Sequence, residues 1–210
     1  NTQDYFAHFQ NAASPLLDFL NVAYIVTDPG AALNGSRYEL VYDGPDGRIY
    51  RNRHVVPRFY AVRNVVLEFR PFAYAQRLST MRDFDETAMV SRLPIVSDAM
   101  RGDLLAPRLP GSPEPYVNFS RVSDTNYTLG VRSPRHALIV SSIPFWPGWR
   151  VEVNGERAEP LVVNGAFLGF TVPPGDSAIR VEYVPMTFYA GLIVSALAIA
   201  GVVAGATMKR

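Results

Sequence analysis

Apolar residues in the second half of the chain fall into short runs of strand-like rhythm, separated by turn residues. Tyr116–Val122 and Tyr127–Val131 alternate, and Ala137–Ile143 is continuously apolar. Trp149–Val153, Leu161–Val163, Phe167–Val172 and Ile179–Tyr183 follow at close spacing. β-branched and aromatic side chains dominate these runs, as a pleated, half-buried surface favours. Asn154-Gly155 and Asn164-Gly165 stand between them. That dipeptide is a strong hairpin signal, because both residues tolerate the positive φ of a type I′ turn. About seven short strands with regular turns predict a β-sandwich or jelly-roll-like unit over residues 116–184.

The first half is less regular. Ser14 followed by Pro15 predicts a short helix with a serine cap and proline at the first helical position. Val22–Thr27 reads as a buried strand, and 28–36 as a turn-rich loop. Tyr38–Tyr42 and Arg48–Arg51 predict a hairpin around a five-residue loop, Asp43–Gly47. Phe59–Val62 reads as a strand, 65–68 fits either strand or helix, and Asp83–Arg92 is weakly helical. The segment 107–115 has prolines at positions 107, 110, 113 and 115. Such a segment forms neither helix nor central strand. It predicts a linker between a small α+β sub-domain (1–106) and the sandwich.

From Val184 to Met208 the pattern changes again and no charge appears. The stretch from Phe188 to Thr207, as a helix rising about 1.5 Å per residue, matches roughly 30 Å of hydrocarbon. A transmembrane helix is therefore expected within 185–208. Phe188 and Tyr189 suit one interface, and Lys209-Arg210 suit the cytoplasmic side. Everything before Val184 is then expected on the outer face of the cytoplasmic membrane, with the lipid bilayer as a partner. Gly201 and Gly205 have the spacing that lets helices approach closely in lipid, or simply reflect a Gly- and Ala-rich chain. Asn1–Gln10 has no basic segment followed by an apolar one, so it is not a signal peptide. The chain reads as part of a longer polypeptide, whose upstream transmembrane region is an expected partner. The expected fold class is mainly β with minor α, ending in one membrane helix.

Composition narrows the chemistry. A net charge of +1 provides no field for nucleic acid, so none is expected as a partner. Apart from Lys209 every basic side chain is arginine, which suits phosphate gripping but also follows from a GC-rich genome. With no cysteine, thiolate metal sites and cysteine nucleophiles are excluded. His8, His54 and His136 lie far apart without metal-ligand spacing, so no metal and no cofactor is expected. Asp83, Asp85 and Glu86 resemble acids at a helix start more than a catalytic pair. No catalytic residue is assigned. The candidate binding residues are Trp146 and Trp149, in Phe145-Trp146-Pro147-Gly148-Trp149. Their rings suit sugar faces, lipid interfaces or the end of a sandwich core.

Several stretches resemble the YfhO-type bacterial membrane proteins. Leu16–Ile25 and the pair Ile49–Asn52 and Val56–Phe59 are similar to two of that family's motifs. The most specific segment, Phe145–Gly155, resembles "YYPGWKAYVDGK", with Asn154 where the family has Asp. Asn164–Phe167, Val172–Gly175 and Val181–Pro185 follow in the family's order. The resemblance implies a polytopic protein similar to GT-C glycosyltransferases, which take sugars from polyprenyl-phosphate carriers on the outer face. It implies a polyprenyl-phosphate-linked sugar or envelope glycan as partner, with this segment supporting acceptor binding or covering the active face. No catalytic motif of that class is present here. The alternative is a non-enzymatic, membrane-anchored envelope binding or adhesion module.

Overall fold

The computed structural model describes residues 12–94, 97–106, 108 and 111–207, with side chains described to Gly201. Asn1–Gln10 with His8, positions 107, 109 and 110 of the Pro-rich segment, and Lys209-Arg210 lie outside the described residues. The fold is mainly β, with several sheets.

A short helix, α1 (Leu16–Phe19), opens the described chain, and Leu16 N–H donates to Ser14 Oγ. Strands β1 (Tyr24–Thr27), β2 (Tyr38–Gly44) and β3 (Gly47–Asn52) form a three-stranded sheet in the order β1-β3-β2. Two expectations fail here. β1 is not buried: Tyr24 and Val26 face solvent, because none of the described residues covers the outer side of this small sheet. The hairpin loop is Pro45-Asp46 alone, with Gly44 paired to Gly47. Arg48 grips Asp43 at 2.7 Å and Tyr42 donates to Asp46 at 2.7 Å, extending the pairing into the expected loop. The sheet is tied to α1 through Asp18, which accepts from Arg37 at 2.6 Å and from Asn52 at 2.7 Å.

β4 (Phe59–Ala61), β5 (Asn64–Leu67) and β6 (Thr87–Val90) follow, with α2 (Pro71–Thr80) between β5 and β6. β5 and β6 are parallel, so α2 is a crossover helix. The weak helix expected over 83–92 is therefore a turn followed by a strand. Asp83 accepts from the Thr87 hydroxyl in that turn, and β6 is buried at all four positions. α3 (Asp98–Leu105) is capped by Ser97, whose Oγ accepts from Met100 N–H.

The remaining strands are β7 (Tyr116–Ser123), β8 (Asn126–Ser133), β9 (Ala137–Pro144) and β10 (Trp149–Val153). After them come β11 (Glu156–Ala158), β12 (Leu161–Val163), β13 (Phe167–Val172) and β14 (Gly175–Tyr183). They build a five-stranded sheet, β11-β10-β14-β8-β7, and a six-stranded one, β4-β9-β13-β12-β6-β5. The larger sheet takes strands from both sides of the Pro-rich segment, so one sheet runs across the position where the sequence suggested a boundary.

Within the six-stranded sheet, β9 and β13 are buried on both faces. Ile139, Leu168, Phe170 and Val172 meet Leu129, Val151, Ile179 and Val181 of the five-stranded sheet. Leu138, Val140, Leu161 and Val163 pack instead with Phe19, Leu78, Phe84 and Leu104 on the helical side. Double coverage explains why β9 reads as an unbroken apolar run. Tyr74 of α2 stitches this side: its hydroxyl donates to Met89 O at 3.1 Å and accepts from Gly165 N–H at 2.8 Å. Burial pushes that phenol up to about 12.

β14 leads through Val184-Pro185 into α4 (Met186–Thr207), a 22-residue helix. Every residue of α4 from Met186 to Gly201 is exposed. Over the residues whose side chains are described, no helix is long and apolar enough to cross a membrane. In α4 that described run stops at Gly201, although the backbone helix continues to Thr207.

Candidate functional site

The turn Phe145–Gly148 lies where the two large sheets end and α4 begins. β9 finishes at Pro144 and β10 starts at Trp149, which pairs with Tyr183, the last residue of β14. Two prolines in Pro144-Phe145-Trp146-Pro147 prevent the ladder from continuing. The turn closes with Trp149 N–H donating to Trp146 O at 3.3 Å. Gly148 has φ +120°, and a Cβ there would lie 3.0 Å from Tyr183 and 3.2 Å from the Val184 carbonyl. Its own carbonyl accepts from Val184 N–H at 2.8 Å. The turn is thus bonded to the segment that launches α4.

The structure separates the two tryptophans. Trp149 is half-buried against the inter-sheet core, and its ring centre lies 5.1 Å from that of Tyr183. Its indole N–H donates to Pro144 O at 3.2 Å, so the polar tip is satisfied within the protein. Trp146 is 65% exposed. At the same end of the sheet, Arg150 reaches Met186 Sδ of α4 at 3.3 Å, and Val122 near the end of β7 is exposed. The hairpin between β7 and β8 is drawn to the same end by Tyr183 N–H donating to Thr125 O. This end of the sandwich therefore presents an exposed indole, an exposed valine and the root of an apolar helix.

Two other arrangements were not visible in the sequence. His136 Nδ1 lies 2.6 Å from Asp103 Oδ2, which joins α3 to the start of β9, and the imidazole holds the Asp103 carboxyl below its usual range. On the outer face of the five-stranded sheet, residues from β7, β8 and β14 line an open cleft of about 570 Å³. Strand register alone brings those residues together, and no local motif marks it. Asp83, Asp85 and Glu86 do not form a carboxylate pair across a cleft; Asp83 is engaged by Thr87. Among the described residues no group of three or more His, Asp or Glu is placed to hold a metal ion.

The last strand of this β-rich chain continues into the exposed helix α4. In a comparison with known families, residues 114–195 match the family described as bacterial membrane protein YfhO. The match begins just before β7 and ends within α4. It takes in the Phe145–Gly155 segment and both Asn-Gly turns, whereas Leu16–Ile25 and Ile49–Phe59 lie outside it. Comparisons with curated proteins and with solved structures returned no match.

Proposed function

We propose that this chain is the outward-facing, β-rich portion of a bacterial membrane protein, held at the bilayer by α4. The observation that carries the proposal is the exposure of every residue from Met186 to Gly201, in a stretch with no charged side chain. A helix apolar on all sides has no stable place in water. Its 22 residues correspond to about 33 Å, close to the hydrocarbon thickness. Phe188 and Tyr189 then sit at the outer interface, and the basic pair Lys209-Arg210 that follows in the sequence orients the C-terminal end of the helix toward the cytoplasm. Bonded to the root of α4, the Phe145–Gly148 turn places Trp146 at headgroup level, and Trp149 secures the turn from inside.

In this reading the domain supports acceptor binding or covers the active face of a polytopic protein similar to GT-C lipid-linked-sugar glycosyltransferases. Its part is structural and recognitive, and catalysis belongs to the upstream membrane region of the same polypeptide. The anchoring is tested by expressing the full chain in bacteria and washing membranes with alkaline carbonate. The unaltered chain should stay in the pellet. Leu192→Arg combined with Leu197→Arg should release it, since each central arginine costs about 3 kcal/mol of insertion. Release of the unaltered chain would refute the anchoring.

A further inference from the structure

The open cleft on the outer face of the five-stranded sheet lies away from the membrane-proximal end. Register builds it in rows. Tyr116 of β7 pairs with Arg132 of β8, which pairs with Asp176 of β14. The next row is Asn118, Gly130 and Ala178. Gly130 and Ala178 keep the floor low, and larger side chains stand around it. A Cβ on Gly130 would come within 2.6 Å of Asn118 Oδ1, so the glycine lets that amide lie across the strand.

The walls are set for hydrogen bonding. Asn118 Oδ1 accepts from Gly130 N–H at 3.0 Å, and Asn154 Oδ1, from the hairpin after β10, accepts from Ala178 N–H at 2.9 Å. Each amide is held by its oxygen, which leaves its NH2 group as the donor for a ligand. Arg132 donates to Asp176 at 2.6 and 3.3 Å through two nitrogens, giving a planar pair of donors and acceptors. Beside them the Tyr116 ring is 67% exposed.

We infer that this cleft binds a segment of a neutral glycan chain, with Tyr116 stacking on a sugar face and Asn118, Asn154 and the Arg132–Asp176 pair bonding its hydroxyls. A sugar offers an apolar C–H face beside rows of hydroxyls, and an exposed aromatic next to planar polar groups complements both. The charges in the lining are one arginine and one aspartate, bound to each other, so the cleft favours a neutral ligand over phosphate or an acidic polymer. Its floor is the face of β8 and β14, whose backbone groups are paired on both sides, so a ligand there is met by side chains. Asp176 is seven residues along β14 from Tyr183 at the membrane end, or about 23 Å. At that height the cleft meets a polymer of the envelope and not a lipid headgroup. The inference rests on the outward-facing placement proposed above and specifies the acceptor as a neutral glycan.

The test is calorimetric titration of the full chain in detergent micelles with four neutral hexasaccharides (β-1,4-glucan, α-1,4-glucan, β-1,4-linked N-acetylglucosamine and α-1,6-mannan) and with polygalacturonate as the acidic comparison. At least one should bind with a dissociation constant between about 10 μM and 1 mM. Tyr116→Ala should weaken it about tenfold and Asn118→Ala about threefold, with unchanged melting temperatures because both side chains are exposed. Phe72→Ala, on the exposed side of α2 and outside the cleft, should leave it unaltered. No binding by any of the four sugars, binding confined to polygalacturonate, or affinity unmoved by both cleft substitutions would each overturn the inference. Binding in micelles does not depend on membrane anchoring, so this outcome and the carbonate extraction stand or fall separately.

Discussion

Two stretches of this chain are apolar almost without interruption, and they find cover in opposite ways. β9 lies in the middle of the six-stranded sheet, with Ile139 in the inter-sheet core and Leu138 and Val140 against the helices. α4 is exposed at every residue from Met186 to Gly201. Its described bonds to the sandwich are at the joint, from Val184 N–H to the Gly148 carbonyl and from Arg150 to Met186 Sδ. Burial of β9 is therefore a property of the fold, and burial of α4 has to come from outside it. The same division separates the tryptophans: Trp149 is half-buried against the inter-sheet core, and Trp146 is exposed.

The sharpest way to break this comparison is to truncate one side chain in each region. Phe170 is fully buried between the sheets, and Phe170→Ala should cost about 3–5 kcal/mol in denaturant unfolding of the micelle-bound chain. Leu192→Ala in α4 should change unfolding of the β domain by less than about 0.5 kcal/mol. Equal losses would mean that α4 packs on the sandwich.

The helical side of the sheet is tested by pH. The folded-state pKa of Tyr74, about 12, lies above the ordinary value of 10.0. The folded protein therefore holds this proton more tightly than the unfolded chain. That contribution is complete below pH 10 and disappears as pH rises from 10 to 12. It amounts to about 2–3 kcal/mol over that interval. Tyr74→Phe should begin less stable, through loss of the bonds to Met89 and Gly165, and should decline less steeply over the same range. Parallel alkaline curves for the two proteins would show that Tyr74 is not desolvated.

Trp149→Ala should lower stability by about 2 kcal/mol through lost packing on Tyr183 and the core, and Trp146→Ala by less than about 0.5 kcal/mol. Thermal unfolding of both variants checks the assignment, and a reversed order would defeat it. A smaller effect, about 1 kcal/mol, is expected for Gly155→Val. Asn154 and Gly155 have φ of +54° and +83°, and a β-branched side chain at the second position is strained there. No change in melting temperature would contradict that turn geometry.

The strands after residue 115 were legible because alternation and Asn-Gly turns are local signals. Asn154-Gly155 joins Val153 to Glu156 as a two-residue loop, as its residue types require. The β5-α2-β6 crossover was not legible. The four-residue strand Thr87–Val90 is buried on both faces and follows three acids, so it shows neither alternation nor a clean apolar run. α2 has a weakly apolar face, with Leu78 its one fully buried side chain, and α3 likewise buries only Leu104. β1 misled in the other direction, since VAYIVT has the composition of a core strand but lies in a sheet with one open face. The tryptophan pair was found by residue type, whereas only register could assign one ring inward and one outward. The cleft was invisible for the same reason: Tyr116, Asn118, Arg132 and Asp176 become neighbours only once β7, β8 and β14 are aligned.

The claim that α4 lies in the bilayer while the β domain lies outside is tested most directly by single cysteines, which the chain's lack of native cysteine makes unambiguous. Ser120→Cys on the exposed β7 and Ser195→Cys in the middle of α4 would be treated in intact cells with a membrane-impermeant maleimide. The account predicts that Ser120→Cys is labelled from outside and that Ser195→Cys is labelled only after the protein is unfolded in denaturing detergent. Labelling of Ser195→Cys in intact cells as fast as Ser120→Cys would contradict it.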